Sequence, residues 1–172
     1  MTLWVVKLGT SLLRGDTAAT IEGYASGLAA AMRRGDQVVL VTSGAVGLGC
    51  QKLHLPKRPD TVVALQAAAA TGQGYLMALY ERAMAVHGLS VAQVLLTRSD
   101  LADRRRYQNA SGTLQQLLAW GVLPVINEND ALSSAELRFG DNDTLSALVA
   151  AAVGAHQLLL LTDVDRLYSS DP

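Results

Sequence analysis

The sequence has few of the residues that mark out several classes of protein. It contains one cysteine, Cys50. No disulfide framework can form within the chain, which fits a reducing, cytoplasmic setting. Its charges nearly cancel, with 14 Lys and Arg against 15 Asp and Glu. Composition therefore offers no electrostatic case for nucleic acid or for an anionic membrane. His54, His87 and His156 are scattered without ligand spacing, so no metal site is assigned. No apolar run reaches membrane-spanning length. The opening MTLWVVKLGT has no basic leader and carries Lys7 inside its apolar run, unlike a signal peptide. Aromatic residues make up only 5%, a composition suited to close packing of helices on a sheet.

What the chain does have is hydrophobic residues, at 50% of a 172-residue length. That is enough for one domain, 1–172, with a sizeable core. Apolar runs at Leu3–Leu8, Val38–Thr42, Val91–Leu96, Val122–Ile126 and Gln157–Leu161 read as buried strands. Between them lie helical patterns at Thr17–Arg33, Asp60–Val86, Arg104–Trp120 and Thr144–Val153, with Thr17 expected as an N-cap. Leu132–Phe139 reads as a short hairpin or excursion. Strands alternating with helices predict an α/β fold, a mainly parallel sheet sandwiched between helices. The chain stops in a loop-like stretch after the last strand. That predicts a C-terminal part missing from a larger unit, because such sheets are normally covered on both faces.

Ligands of parallel sheets bind beyond the carboxyl ends of the strands. Five strand ends here carry polar or glycine chemistry: Lys7 with Gly9, Ser43-Gly44, Arg98-Ser99-Asp100, Asn127 to Asp130, and Thr162-Asp163. Lys7 reads about equally as a lysine snorkelling at a strand end and as a cation aimed into an anionic site. Gly9 and Gly44 leave room for backbone N–H groups to approach an anion. The runs INEND at 126–130 and GDND at 140–143 set two acidic knots against apolar elements. That costs stability unless they are hydrogen-bonded or used. One acid of 141–143 is accounted for as a helix cap. Asp130 could hold an ammonium, Asn142 could face an amino or carboxylate group, and Asp143 could pair with a lysine. Cys50, Met77 and Met84 read as packing residues. Arg104-Arg105-Arg106 reads as a solvated helix face or a subunit contact.

The segments VVKLGTSLL, VLVTSGAVGLG, QVLLTRSDLADRRRYQNA, VLPVINENDA, FGDNDTLSALVA and LLLLTDVDRLY together resemble the amino acid kinase family along essentially the whole chain. INEND followed by FGDND is similar to those members that phosphorylate glutamate. The resemblance implies an acetylglutamate kinase-like αβα fold and ATP-dependent phosphorylation of the L-glutamate γ-carboxylate, the first step of proline synthesis. It implies Lys7 beside the transferred phosphoryl group, Asp143 organising Lys7, and Gly9 and Gly44 supporting the phosphates. It also implies Ser43, Asp130 and Asn142 on glutamate, Thr162 and Asp163 on the nucleotide, and Mg²⁺ carried mainly by the ATP phosphates. Proline as feedback inhibitor, a homodimer or homotetramer, and a further C-terminal domain in longer members are implied too. Arg166 departs from the glycine usual at its position. The expectation is most of a glutamate site and an incomplete ATP site. The rivals are another carboxylate or carbamate kinase, and a non-catalytic amino-acid-binding module.

Overall fold

A computed structural model describes residues 1–13, 15–132 and 142–163. In chain order the elements are β1 (Leu3–Leu8), a 3-10 turn (Thr10–Leu13), α1 (Thr17–Arg33), β2 (Gln37–Val41), α2 (Ala45–Lys52) and α3 (Val62–Ala85). They continue with β3 (Val91–Leu96), α4 (Arg98–Ala102), α5 (Arg104–Ala119), β4 (Leu123–Glu128), α6 (Asn142–Val153) and β5 (Gln157–Leu161). The strands form one sheet in the order β3-β4-β2-β1-β5, with every pairing parallel. This is the expected α/β sandwich.

Alternation along the strands explains how the helices sit. Val6, Leu8, Val38, Leu40, Leu123 and Val125 form one core with α1, α2 and α3. Val5, Val39, Val41 and Ile126 form the other with α5 and α6. Successive strand side chains face opposite ways, so these sets follow directly from the residue order. Each fully buried leucine, such as Leu8, contributes roughly 1.5–3 kcal/mol relative to an exposed one. The same parity decides where polar side chains go. Lys7 shares the α6 face with Val5, whereas Thr42 and Asn127 fall on the α3 face.

Two helices meet without side chains between them. A Cβ on Gly72 of α3 would lie 2.0 Å from the carbonyl oxygen of Ala45, and one on Gly49 of α2 would lie 1.8 Å from that of Ala68. Real Cβ atoms do not come that close, so both positions require glycine. This contact seats the start of α2 against α3.

Several expectations change. Leu158, Leu159 and Leu160 are 37%, 43% and 44% exposed, not buried, because β5 pairs only with β1 among the described residues and forms a sheet edge. The cap of α1 is Asp16, whose carboxylate accepts from the Ala19 N–H, not Thr17. Thr17 instead donates to the Leu13 carbonyl at 2.7 Å. Helix α3, at 24 residues, is long and apolar enough to cross a membrane by length and composition, contrary to expectation. Its buried face, including Ala68, Leu76, Tyr80 and Met84, belongs to the domain core. The proposed hairpin lies outside the described residues from 133 on, and so do Asp141 and Arg166.

Candidate functional site

The carboxyl ends of β1, β2 and β4 open on a cavity of about 270 Å³, walled by Thr10, Ser43, Gly44, Arg58, Glu128, Asp130 and Asn142 among others. That is just under the roughly 300–1,000 Å³ typical of drug-sized sites, and it suits a metabolite as small as an amino acid.

The wall is laid down by backbone. Strand β4 runs two residues beyond its apolar stretch, so Asn127 and Glu128 are buried strand residues. Helix α6 begins at Asn142, two residues earlier than its apolar pattern indicated, and drives that side chain against the sheet. The Asn142 Nδ2 donates to the Thr42 carbonyl at 2.6 Å, to Ser43 Oγ at 2.8 Å and to Asn127 Oδ1 at 3.0 Å. Its Oδ1 is buried with no hydrogen-bond partner among the described residues. A buried orphan acceptor costs about 1–3 kcal/mol, a cost that a ligand donor would remove.

Behind this wall, the Tyr80 hydroxyl lies 2.6 Å from Thr42 Oγ1. Burial pushes that phenol upward, outweighing the opposing effect of the Thr42 bond, and so keeps it neutral. Asp130 is half-buried. Burial first, and then the Glu128 carboxylate, raise its pKa to about 6, while Arg58 opposes them. Gly44 caps α2 with φ 101°, a left-handed conformation that glycine adopts cheaply. With Ser43 it presents the helix N-terminus to the cavity.

Beyond Ser43 and Gly44 lies the cationic end. Lys7 Nζ is 2.6 Å from Asp143 Oδ1, the lysine side chain being 9% exposed and the aspartate 61%. The low exposure of Lys7 shows that it does not snorkel into solvent. A Cβ on Gly9 would sit 3.3 Å from Lys7 Nζ, a tight contact, so glycine leaves room beside the ammonium. The Gly9 N–H donates to the Leu161 carbonyl at 3.2 Å. Ser11 Oγ donates to Asp163 Oδ1 at 2.7 Å, which ties the exposed Asp163 to the turn after β1. Thr162 is exposed beside it.

Of the sequence candidates, Ser43, Gly44, Asp130 and Asn142 share the cavity, while Lys7, Gly9 and Asp143 gather at its flank. Thr162 and Asp163 lie at the end of β5. The Arg98–Asp100 segment is accounted for locally. Thr97 and Asp100 form a capping box on α4, and the Thr97 hydroxyl holds the Asp100 carboxyl below its ordinary range. Asn127, one of the strand-end candidates, also lines the cavity. Arg58 and Gln73 were not expected, because they lie in a proline-flanked loop and an alanine-rich helix with no motif around them.

The sequence pattern of the amino acid kinase family matches residues 2–172, and the chain belongs to that family. Among its relatives, it is 99% identical over 172 residues to the glutamate 5-kinase of Synechococcus sp. (strain CC9902), covering 100% of this chain and 48% of that protein. It is 85% identical to the glutamate 5-kinase of Parasynechococcus marenigrum (strain WH8102), again with 100% and 48% coverage. For Prochlorococcus marinus (strain MIT 9313) the identity is 71% over 176 residues, with 100% and 49% coverage. The chain thus spans about half the length of the curated relatives it matches. Among solved structures, a carbamate kinase from Giardia superimposes with a TM-score of 0.63 at 19% identity, over 95% of this chain and 73% of the other. A Giardia lamblia carbamate kinase bound to AMP-PNP gives a TM-score of 0.61 at 19% identity, over 95% and 71%. At that identity the likeness establishes a shared fold.

Proposed function

We propose that the site belongs to an ATP-dependent kinase acting on the γ-carboxylate of L-glutamate, giving L-glutamyl 5-phosphate for proline synthesis in the cytoplasm. The observation that carries this reading is the orphan acceptor Asn142 Oδ1 in the same cavity as Asp130. Two acceptors, one anionic, suit an ammonium. Ser43, the α2 N-terminus and Arg58 offer donors for carboxylate. A free amino acid needs both. The relatives' shared name, glutamate 5-kinase, supports the choice of substrate.

The chemistry asks little of a general base, because a carboxylate is already ionised at neutral pH. A γ-carboxylate oxygen attacks the γ-phosphorus, the P–O bond to ADP breaks, and catalysis reduces to alignment and charge stabilisation. Lys7 supplies that charge, and Asp143 holds its ammonium in place at 2.6 Å. Gly44 lends its helix end to the phosphates, and Thr162 and Asp163 border the nucleotide. Magnesium would ride on the phosphate oxygens, and the exposed Asp143 carboxylate is an oxygen donor these residues offer it. Proline, which also carries an ammonium and a carboxylate, fits the same corner as an inhibitor, and assembly into a dimer or tetramer belongs to the same proposal.

Calorimetry with the 172-residue chain, and ADP release by a polypeptide of the relatives' length, test this reading. L-glutamate should bind the first and drive turnover in the second. Binding of N-acetylglutamate or aspartate in preference to glutamate would overturn it. Glutamate binding without turnover in the longer polypeptide would favour a non-catalytic amino-acid-binding module.

A further inference from the structure

We infer that Gln73 is a positioning residue: it anchors the Asn127 amide that braces Asn142, and so sharpens the selection of ligands with a free amino group. The inference rests on the amino-acid reading of the cleft given above.

The orientation follows from two backbone groups that cannot flip. The Thr42 carbonyl can only accept, so the Asn142 nitrogen must face it, at 2.6 Å. The Glu128 N–H can only donate, so the Asn127 oxygen must face it, at 2.9 Å. That oxygen also receives the Asn142 nitrogen at 3.0 Å. The Asn127 nitrogen is thereby turned toward α3, where Gln73 Oε1 accepts it at 2.8 Å. The Gln73 nitrogen in turn donates to Gln93 Oε1 at 3.0 Å. Three amides thus pass hydrogen bonds in one direction, from Asn142 through Asn127 and Gln73 to Gln93. The acceptor left over at the head of the chain is Asn142 Oδ1.

Gln73 follows Gly72, whose contact with α2 holds this turn of α3 in place. Without the Gln73 oxygen, the Asn127 nitrogen becomes a part-buried donor lacking its acceptor. Turning the amide over gives no relief, because the nitrogen would then face the Glu128 N–H and the Asn142 nitrogen, both donors. The Asn127 side chain instead swings away to find an acceptor, and Asn142 keeps only Thr42 and Ser43. Its acceptor is then less firmly held for a ligand's ammonium, whereas a ligand without one loses nothing.

The test compares Gln73→Met, which keeps length but has no comparable acceptor, with Gln73→Glu, which restores an oxygen. Side-chain amide ¹H–¹⁵N signals of Asn127 and Asn142 are followed in the ligand-free chain, and L-glutamate binding is compared with glutarate, the same skeleton without the amino group. In Gln73→Met the Asn142 signals should shift, and the preference for L-glutamate over glutarate should fall about tenfold. Gln73→Glu should restore both. Unmoved amide signals in Gln73→Met, an equal loss for both ligands, or no rescue by Gln73→Glu would each overturn the inference. If the unmodified chain binds neither ligand, the amino-acid reading falls, while the amide signals still decide whether Gln73 braces Asn142 through Asn127.

Discussion

The two ends of the cleft are built on different plans. Around β2 and β4 the polar groups are buried and hold one another. Asn142, Ser43, Thr42 and Asn127 share hydrogen bonds between 2.6 and 3.0 Å, with Tyr80 and Gln73 bracing them from α3. Around β1 and β5 the contacts run between Lys7 and Asp143 and between Ser11 and Asp163, each with an exposed member. A rigid wall discriminates, because a ligand that mismatches it leaves buried groups unpaired. An open end with a charge can grip a polyanionic tail without reading it closely. On this view specificity resides at the first end and phosphoryl chemistry at the second.

If so, damage at the two ends should have different signatures. The largest effect is expected from Gly72→Ala, whose new Cβ would fall 2.0 Å from the Ala45 carbonyl oxygen. Urea denaturation should show a loss of about 3 kcal/mol, with amino-acid binding weakened because α2 carries Gly44. An unchanged midpoint would mean the helices have slack. Lys7→Met should lower kcat about a hundredfold in a polypeptide of the relatives' length, and leave the affinity for L-glutamate within about threefold. A comparable rise in the dissociation constant would place Lys7 on the amino acid instead.

Asp130→Asn should do the reverse, weakening L-glutamate about tenfold by calorimetry with little change in saturated turnover. The same carboxyl sets a pH dependence. Its folded pKa is raised from 3.8 to about 6, so the folded state takes up this proton before the unfolded chain does. Its contribution to stability is therefore present on the acid side and is lost as pH rises through about 6. Binding of an ammonium needs the ionised form, so L-glutamate affinity should decline below about pH 6, by at most about tenfold per unit. Asp130→Asn should flatten that profile, and a slope persisting in the variant would assign it to another group. The smallest effect is expected from Ser11→Ala, which removes an exposed hydrogen bond to Asp163 and should shift stability by no more than about 0.5 kcal/mol.

Much of this architecture could be read in the residues. Strands β1 and β3 fall on the expected bounds because Leu3–Leu8 and Val91–Leu96 are apolar runs closed by Gly9 and Thr97. Where expectation slipped, polar residues had joined regular elements. Scanning for hydrophobicity ends β4 at Ile126 and starts α6 at Thr144, yet Asn127, Glu128 and Asn142 are all buried inside those elements. Helix α4 went unseen because five residues carry little periodicity, although Thr97-x-x-Asp100 is a capping pattern. Within the site, the contact between Lys7 and Asp143 came from resemblance. Strand parity alone could have put Lys7 on the α6 face once the sheet order was known. Arg58 and Gln73 become visible only when the loop before α3 and the α3 face are laid against the strand ends.

The backbone contact between α2 and α3 bears on what the gene can tolerate. Every glycine codon turns into an alanine codon by a single base change, and α3 is already rich in alanine. At Gly49 and Gly72 that commonplace drift is closed off, because the added methyl would occupy space held by a carbonyl oxygen. Two of the most ordinary-looking letters in this part of the gene are therefore among those with the least freedom to vary.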